Sequence, residues 1–245
     1  MTLHTTIKAA AAAAALSFAA TAASAESLTF NGSTSTASSG TSTGSFVTVN
    51  ITASPQGGGN TLAGGFDMNG SPTLGNFVAW CFDLSKNLKT DGVANYVFED
   101  FLDTNALGRV QKVFDRNYDD GFTPLNQTAS AAFQLAVWEA IYDDDWNLAT
   151  GGFKAVAATT ATGGQNIGLS ADVISLAQTY LTDASTYSGN QNWIITQLKS
   201  SNASTGAHEH QHLGTVSVIP IPAGALLILS ALGLAAGVRR YGRTT

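Results

Sequence analysis

The chain has 245 residues, 44% of them hydrophobic and only 11% charged, with a formal net charge of −6 at pH 7. Its few Lys and Arg form no basic patch interleaved with aromatics, which excludes nucleic acid as a partner. Cys81 is the single cysteine, so no internal disulfide framework exists.

Residues 1–25 carry one basic residue (Lys8), an apolar run from Ala9 to Ala20 and the small residues Ala23-Ser24-Ala25. That is the layout of a secretory signal peptide cut after Ala25. Residues 26–45, which include the run NGSTSTASSGTSTGS, are expected to form a low-complexity polar arm. Val47, Val49, Ile51 and Ala53 then alternate with Thr48, Asn50 and Thr52, the pattern of a half-buried strand. PQGGGN (55–60) reads as a turn and TLAGGFDM (61–68) as the partner strand. Asn76 to Leu84 is a further strand and carries Cys81.

From there the period changes. Leu107, Val110, Val113 and Phe114 fall at helical spacing. A loop (NYDDGFTPLN) leads to a second helix over Thr128 to Tyr142, with Phe133, Val137, Ala140 and Ile141 on its apolar face. A third runs from Ser170, its expected N-cap, to Thr182, and buries Val173, Leu176, Ala177, Tyr180 and Leu181. WIITQL (193–198) closes the domain as a strand. Strands, then a helical middle, then a strand indicate an α+β domain over 46–200. Residues 201–217 read as a flexible linker carrying His208, His210 and His212. Ile221 to Val238 hold no charge and are followed by Arg239, Arg240 and Arg243. Such a run is just long enough to span a bilayer, with the arginines on the cytoplasmic side.

A lone cysteine in an exported chain needs an explanation. A cysteine thiolate is a strong nucleophile, whereas a glutamine side-chain amide is normally inert to it. If a fold held such a cysteine against a glutamine side chain, attack would become intramolecular and gain a large effective concentration. Aromatics such as Trp80, Phe82 and Trp138 would keep water from the acyl group. Two other readings of Cys81 stay open: a buried thiol acting as a small hydrophobe, and an intermolecular disulfide. A cysteine hydrolase needs a nearby histidine base, and no histidine falls within the expected folded body. No metal or other cofactor is expected. AHEHQHLG is a run of alternating histidines without a partner cluster, and DRNYDDGFTPLN lacks the Gly and Glu that a calcium-binding loop needs at positions 6 and 12. A carboxylate hydrolase would need two apposed acids, and no pair stands out.

Two resemblances sharpen these readings. Ile219-Pro220-Ile221-Pro222-Ala223, the apolar run and the arginines Arg239 and Arg240 resemble the PEP-CTERM sorting signals of Gram-negative bacteria, in their VPLPA-like variant. That likeness covers residues 218–245. It implies an exosortase-type membrane protease as partner, transient anchoring in the inner membrane, and delivery to the cell surface, outer membrane or extracellular matrix. Cys81-Phe82-Asp83 and Phe133-Gln134-Leu135-Ala136, continued by Val137-Trp138, resemble the Cys-Gln thioester domains of bacterial surface adhesins. The chain departs from that family at Phe133, where threonine is usual. This second likeness implies a β-sheet or barrel-like portion with an inserted helical portion. It also implies a Cys81–Gln134 thioester supported by Trp80, Phe82, Asp83, Phe133, Ala136 and Trp138. The implied role is adhesion, by acyl transfer to an amine or hydroxyl on a target. That is one covalent event per molecule and no turnover enzyme. The alternative is a non-covalent structural or matrix protein on the same export route, with Cys81 buried and free.

Overall fold

The computed structural model describes residues 25–33, 46–70, 75–118, 126–163, 165, 167–202, 205 and 207–218. The signal peptide up to Ser24, most of the polar arm, and the sorting-signal residues Pro220, Pro222, Ala223, Arg239 and Arg240 lie outside that set.

Nine strands and three helices are present among the described residues: β1 (Glu26–Ser33), β2 (Val47–Ala53), β3 (Gly59–Ala63), β4 (Phe66–Asn69), β5 (Asn76–Cys81), β6 (Val93–Phe98), α1 (Thr104–Asn117), α2 (Gln127–Tyr142), β7 (Lys154–Ala157), α3 (Ser170–Ser185), β8 (Trp193–Ser200) and β9 (Leu213–Val218). Six strands close an antiparallel barrel in the order β1-β4-β5-β9-β8-β6, and β3-β2-β7 form a separate three-stranded sheet. The domain is therefore α+β with a barrel. No helix among the described residues is long and apolar enough to cross a membrane.

The β2 alternation holds in part: Val47, Val49 and Ile51 are buried, but so is Thr48, whose hydroxyl accepts a hydrogen bond from Thr162 N–H at 3.2 Å. The expected single strand over 61–68 divides at Gly64–Gly65. β3 stays with β2, while β4 enters the barrel. The break has a packing cause. Gly64 has φ +151°, and a Cβ there would lie 2.8 Å from the Phe46 ring. Only glycine accepts both the close approach and that backbone angle.

Two segments expected to lack structure are barrel strands. β1 lies in the polar arm and β9 in the linker. β9 sits between β5 and β8, with Cys81 opposite Leu213 and Trp80 opposite Gly214. The Phe82 ring lies directly over Gly214, so any side chain there would collide with it. The polar composition of 201–217 hid a strand that needs a glycine for this stacking.

α1 follows the expected periodicity, burying Val110, Val113 and Phe114, and Asp103 caps it by accepting from Asn105 N–H and Ala106 N–H at 2.8 and 2.9 Å. α2 departs from the expected two-faced helix: every residue from Ala129 to Ala140 is buried. A helix buried all round belongs to an interior, and α2 packs against both other helices and against β2, β3 and β5. In α3, Ser170 is the first helical residue and not the cap. Its hydroxyl accepts from Ala158 N–H at 2.9 Å, and Leu169 takes the cap position without a side-chain bond.

Candidate functional site around Cys81 and Gln134

Strand β5 ends at Cys81, and its hydrogen-bonding edges alternate. Phe82 N–H donates to His212 O at 2.9 Å, on the β9 side. The backbone N–H and C=O of Cys81 therefore face the β4 side. There the ladder has already stopped, since β4 begins at Phe66, which pairs with Ala79. Gln134 fills the vacancy. Its Oε1 accepts from Cys81 N–H at 2.8 Å, and its Nε2 donates to Cys81 O at 2.8 Å. One side-chain amide thus stands in for a missing strand residue. Gln134 can reach because α2 is rich in small residues: Ala131, Ala132 and Ala136 are all buried beside it. Cys81 and Gln134 are both fully buried.

The sulfur makes a different contact. Cys81 Sγ–H donates to Asp83 O at 2.9 Å, and Asp83 N–H approaches Sγ at 3.4 Å. Burial, partly offset by that backbone contact and by Trp138, pushes the thiol up to about 12. The thiol is therefore protonated throughout the neutral range.

Each residue expected to support the pair is at the site and buried: Trp80, Phe82, Asp83, Phe133, Ala136 and Trp138. Phe133 is the hub of the aromatic wall, with ring centroids 4.6 Å from Trp80, 4.9 Å from Phe114 and 5.6 Å from Tyr118. Trp138 turns its indole N–H toward the sulfur, near enough to favour charge there but short of full hydrogen-bond geometry. Two tyrosines escaped the sequence reading. Tyr96 is buried on β6, its hydroxyl without a hydrogen-bond partner among the described residues, and Tyr142 closes α2 with its hydroxyl accepting from Leu84 N–H at 2.9 Å. Burial is the main reason both phenols are raised, and charge on Cys81 would raise both further.

Histidine is the larger correction. His208 and His212 are not on a free linker; they pack beside Asp83. His208 Nε2 lies 2.8 Å from Asp83 Oδ2, off the line of a hydrogen bond, and neither atom has another partner among the described residues. The two imidazoles stack at 3.8 Å and 21°. Asp83 Oδ1 accepts from Ser85 N–H at 2.8 Å, which holds the carboxylate in place. Although Asp83, His208 and His212 offer ligand atoms within 4.8 Å of one another, the arrangement suits a metal poorly. His212 Nδ1 accepts Ser200 N–H at 3.0 Å, so its proton sits on Nε2. Two nearly parallel rings also share no common in-plane point at which an ion could sit.

Burial, then the neighbouring His208, lowers His212 from 6.5 to about 4. Between those values the unfolded chain binds more protons than the folded one. Stability from the neutral ring is therefore complete above about pH 6.5 and drains as pH falls toward 4. The ring is only half-buried, so solvent screening reduces the effect to about 1–2 kcal/mol. Urea unfolding at stepped pH should show this loss. His212→Asn, which keeps an acceptor for Ser200 N–H, should flatten the profile over that window.

Neither Cys81 nor Gln134 lines the open groove beside α3 and β7 or the two smaller cavities near Leu84 and Leu88. A nucleophile from outside would reach the pair only after some of its cover moved. Chemically, the arrangement joins a protonated thiol, an amide on the same residue's backbone, and a dry aromatic surround.

No family model, curated protein or solved structure matches the chain. The functional reading therefore rests on the site itself.

Proposed function

We propose that this is an exported surface or matrix protein that stores an acyl group as a Cys81–Gln134 thioester and transfers it once to an amine or hydroxyl on a target. The observation that carries the reading is the docking of the Gln134 amide on Cys81 itself, fully buried, at two distances of 2.8 Å. The thioester-domain likeness of the two motifs adds support, as does the sorting-signal layout of the tail, which implies processing by an exosortase-type protease.

Bond formation joins Cys81 Sγ to Gln134 Cδ and breaks Cδ–Nε2. The S–H proton goes to the departing nitrogen, so ammonia leaves. In transfer, a target amine joins Cδ, the Cδ–Sγ bond breaks, and the amine's proton returns to sulfur. The low-dielectric wall of Trp80, Phe133 and Trp138 slows hydrolysis in the interval by keeping water out. The Trp138 N–H, turned toward the sulfur, is a donor for charge that develops there.

A second reading has its own observation. Both polar atoms of Gln134 already satisfy the Cys81 backbone, and the thiol is held protonated. Thioester formation would discard Nε2 and deprive Cys81 O of that donor. In this reading Gln134 is a structural clamp in a non-covalent matrix protein. Intact mass separates the two. The thioester reading expects the purified protein to be one ammonia lighter than its sequence. Methylamine should then add to Gln134, and both signals should vanish in Cys81→Ala. Full mass, with a thiol alkylated only after unfolding, would establish the clamp instead.

A further inference from the structure

We propose that Glu139, Asp143 and Asp145 form a calcium site at the C-terminal end of α2. The site stands on different atoms from the Cys81–Gln134 pair and does not depend on the thioester reading.

Carboxylate oxygens of the three residues lie within 4.8 Å of one another. Glu139 is fully buried. Its Oε1 accepts from Asn147 N–H at 3.1 Å, but Oε2 has no hydrogen-bond partner among the described residues, and the carboxylate is one of the three that converge. An unpartnered, fully desolvated carboxylate oxygen is costly unless a cation or proton meets it. No basic side chain does so: none of the ion pairs among the described residues involves Glu139, Asp143 or Asp145. Arg109 binds the end of this helix through the α2 carbonyls, donating to Ala140 O and Ile141 O at 2.8 and 3.4 Å.

Position aggravates the problem. The cluster sits where the helix dipole is negative, and the last turn of α2 carries no basic residue. Three carboxylates at that end repel one another and the helix.

The loop is nonetheless built to hold them there. Asp143 Oδ2 accepts from the backbone N–H groups of Gly152 and Phe153, and its Oδ1 accepts from Asp144 N–H at 2.7 Å. Asp145 accepts from Asn147 N–H at 2.9 Å and from the Thr150 hydroxyl at 2.6 Å. Gly151 passes so close beneath the Asp143 and Asp145 carboxylates that a Cβ there would collide with both. Trp146 stands inside the loop with φ 60°, a strained angle for a non-glycine residue. These contacts hold the acids together and leave Glu139 Oε2 without a partner among the described residues.

An all-oxygen, carboxylate-rich set suits a hard cation. Three clustered carboxylates with an exposed side for water favour calcium over magnesium. Magnesium demands stricter geometry, dehydrates reluctantly and usually takes one or two carboxylates. Bound calcium would tie the end of α2 to the loop that leads into β7. The rival occupant is a proton. Burial, then the facing Asp145, pushes the Glu139 carboxyl up to about 8.

The test uses the purified full-length chain, stripped with chelator. Calcium at about 10 mM should raise Tm by on the order of 5 °C, with a dissociation constant on the order of 10⁻⁴ M, and equal magnesium should give less than half that shift. Terbium(III), which accepts the same ligands, should luminesce on tryptophan excitation through Trp146, and calcium should quench that signal by displacement. Asp145→Asn keeps an acceptor for Asn147 N–H and offers an amide N–H to the Thr150 hydroxyl oxygen, on an exposed residue, so it should fold and bind at least tenfold more weakly. Glu139→Gln should do the same. No calcium-dependent shift in wild type, or terbium binding undiminished in Asp145→Asn, would overturn the site in favour of the shared proton.

Discussion

Gln134→Ala is expected to lower the unfolding free energy by about 3–5 kcal/mol, as measured by urea denaturation. The reason is the edge of β5. Truncation leaves Cys81 N–H and C=O buried with no partner, at about 1–3 kcal/mol each. It also opens a void in a fully packed helix, for which some further cost applies unless water enters. Cys81→Ala gives the contrast. It removes only the sulfur and leaves the clamp in place, so about 1–2 kcal/mol is expected. Gln134→Ala at under 1 kcal/mol would show that the amide does not hold the strand end. The comparison also bears on the thioester, because a cross-linked protein loses its covalent tie in either variant. If Cys81→Ala costs as much as Gln134→Ala, the thioester reading is strengthened.

Phe133→Thr should be nearly as damaging, at about 3–5 kcal/mol. Threonine is the residue usual at this place in the thioester-domain motif, so a purely motif-based view would expect an improved site. Packing argues otherwise. Phe133 is fully buried and touches Trp80, Phe114, Tyr118 and Tyr180, with the farthest centroid at 6.5 Å. Threonine would leave a cavity the size of a ring and place a hydroxyl among aromatics with no acceptor assured. Thermal or urea unfolding measures the loss. A change below about 1 kcal/mol would mean that the aromatic wall repacks freely around a smaller residue.

Periodicity made several elements legible in advance. The alternation of Val47, Val49 and Ile51 marked β2, and the helical spacing of Val110, Val113 and Phe114 marked α1 with little error. The Cys81–Gln134 pairing was also foreseeable, but only from motif likeness; no local pattern joins residues 53 positions apart. What failed has a common cause. β1 and β9 lie in or beside polar low-complexity stretches that masked them, and they are strands because the barrel pairs them. The Gly64–Gly65 break depends on the Phe46 ring, which the local sequence does not place there. His208 and His212 looked like linker because their role depends on β9 carrying them back to Asp83.

The sequence by itself marked the three helices and the two residues at the candidate site; the export and sorting layout rests on the motif likeness of the two ends and belongs to the proposal. Those are matters of composition, period and motif, which are local. Tertiary structure alone decided that VAWC ends where β4 runs out, so that Gln134 must complete the strand edge. It also decided that three acids of α2 and its following loop converge without a counter-charge. Both are questions of which buried polar group meets which partner, and burial is settled only when distant segments close around one core.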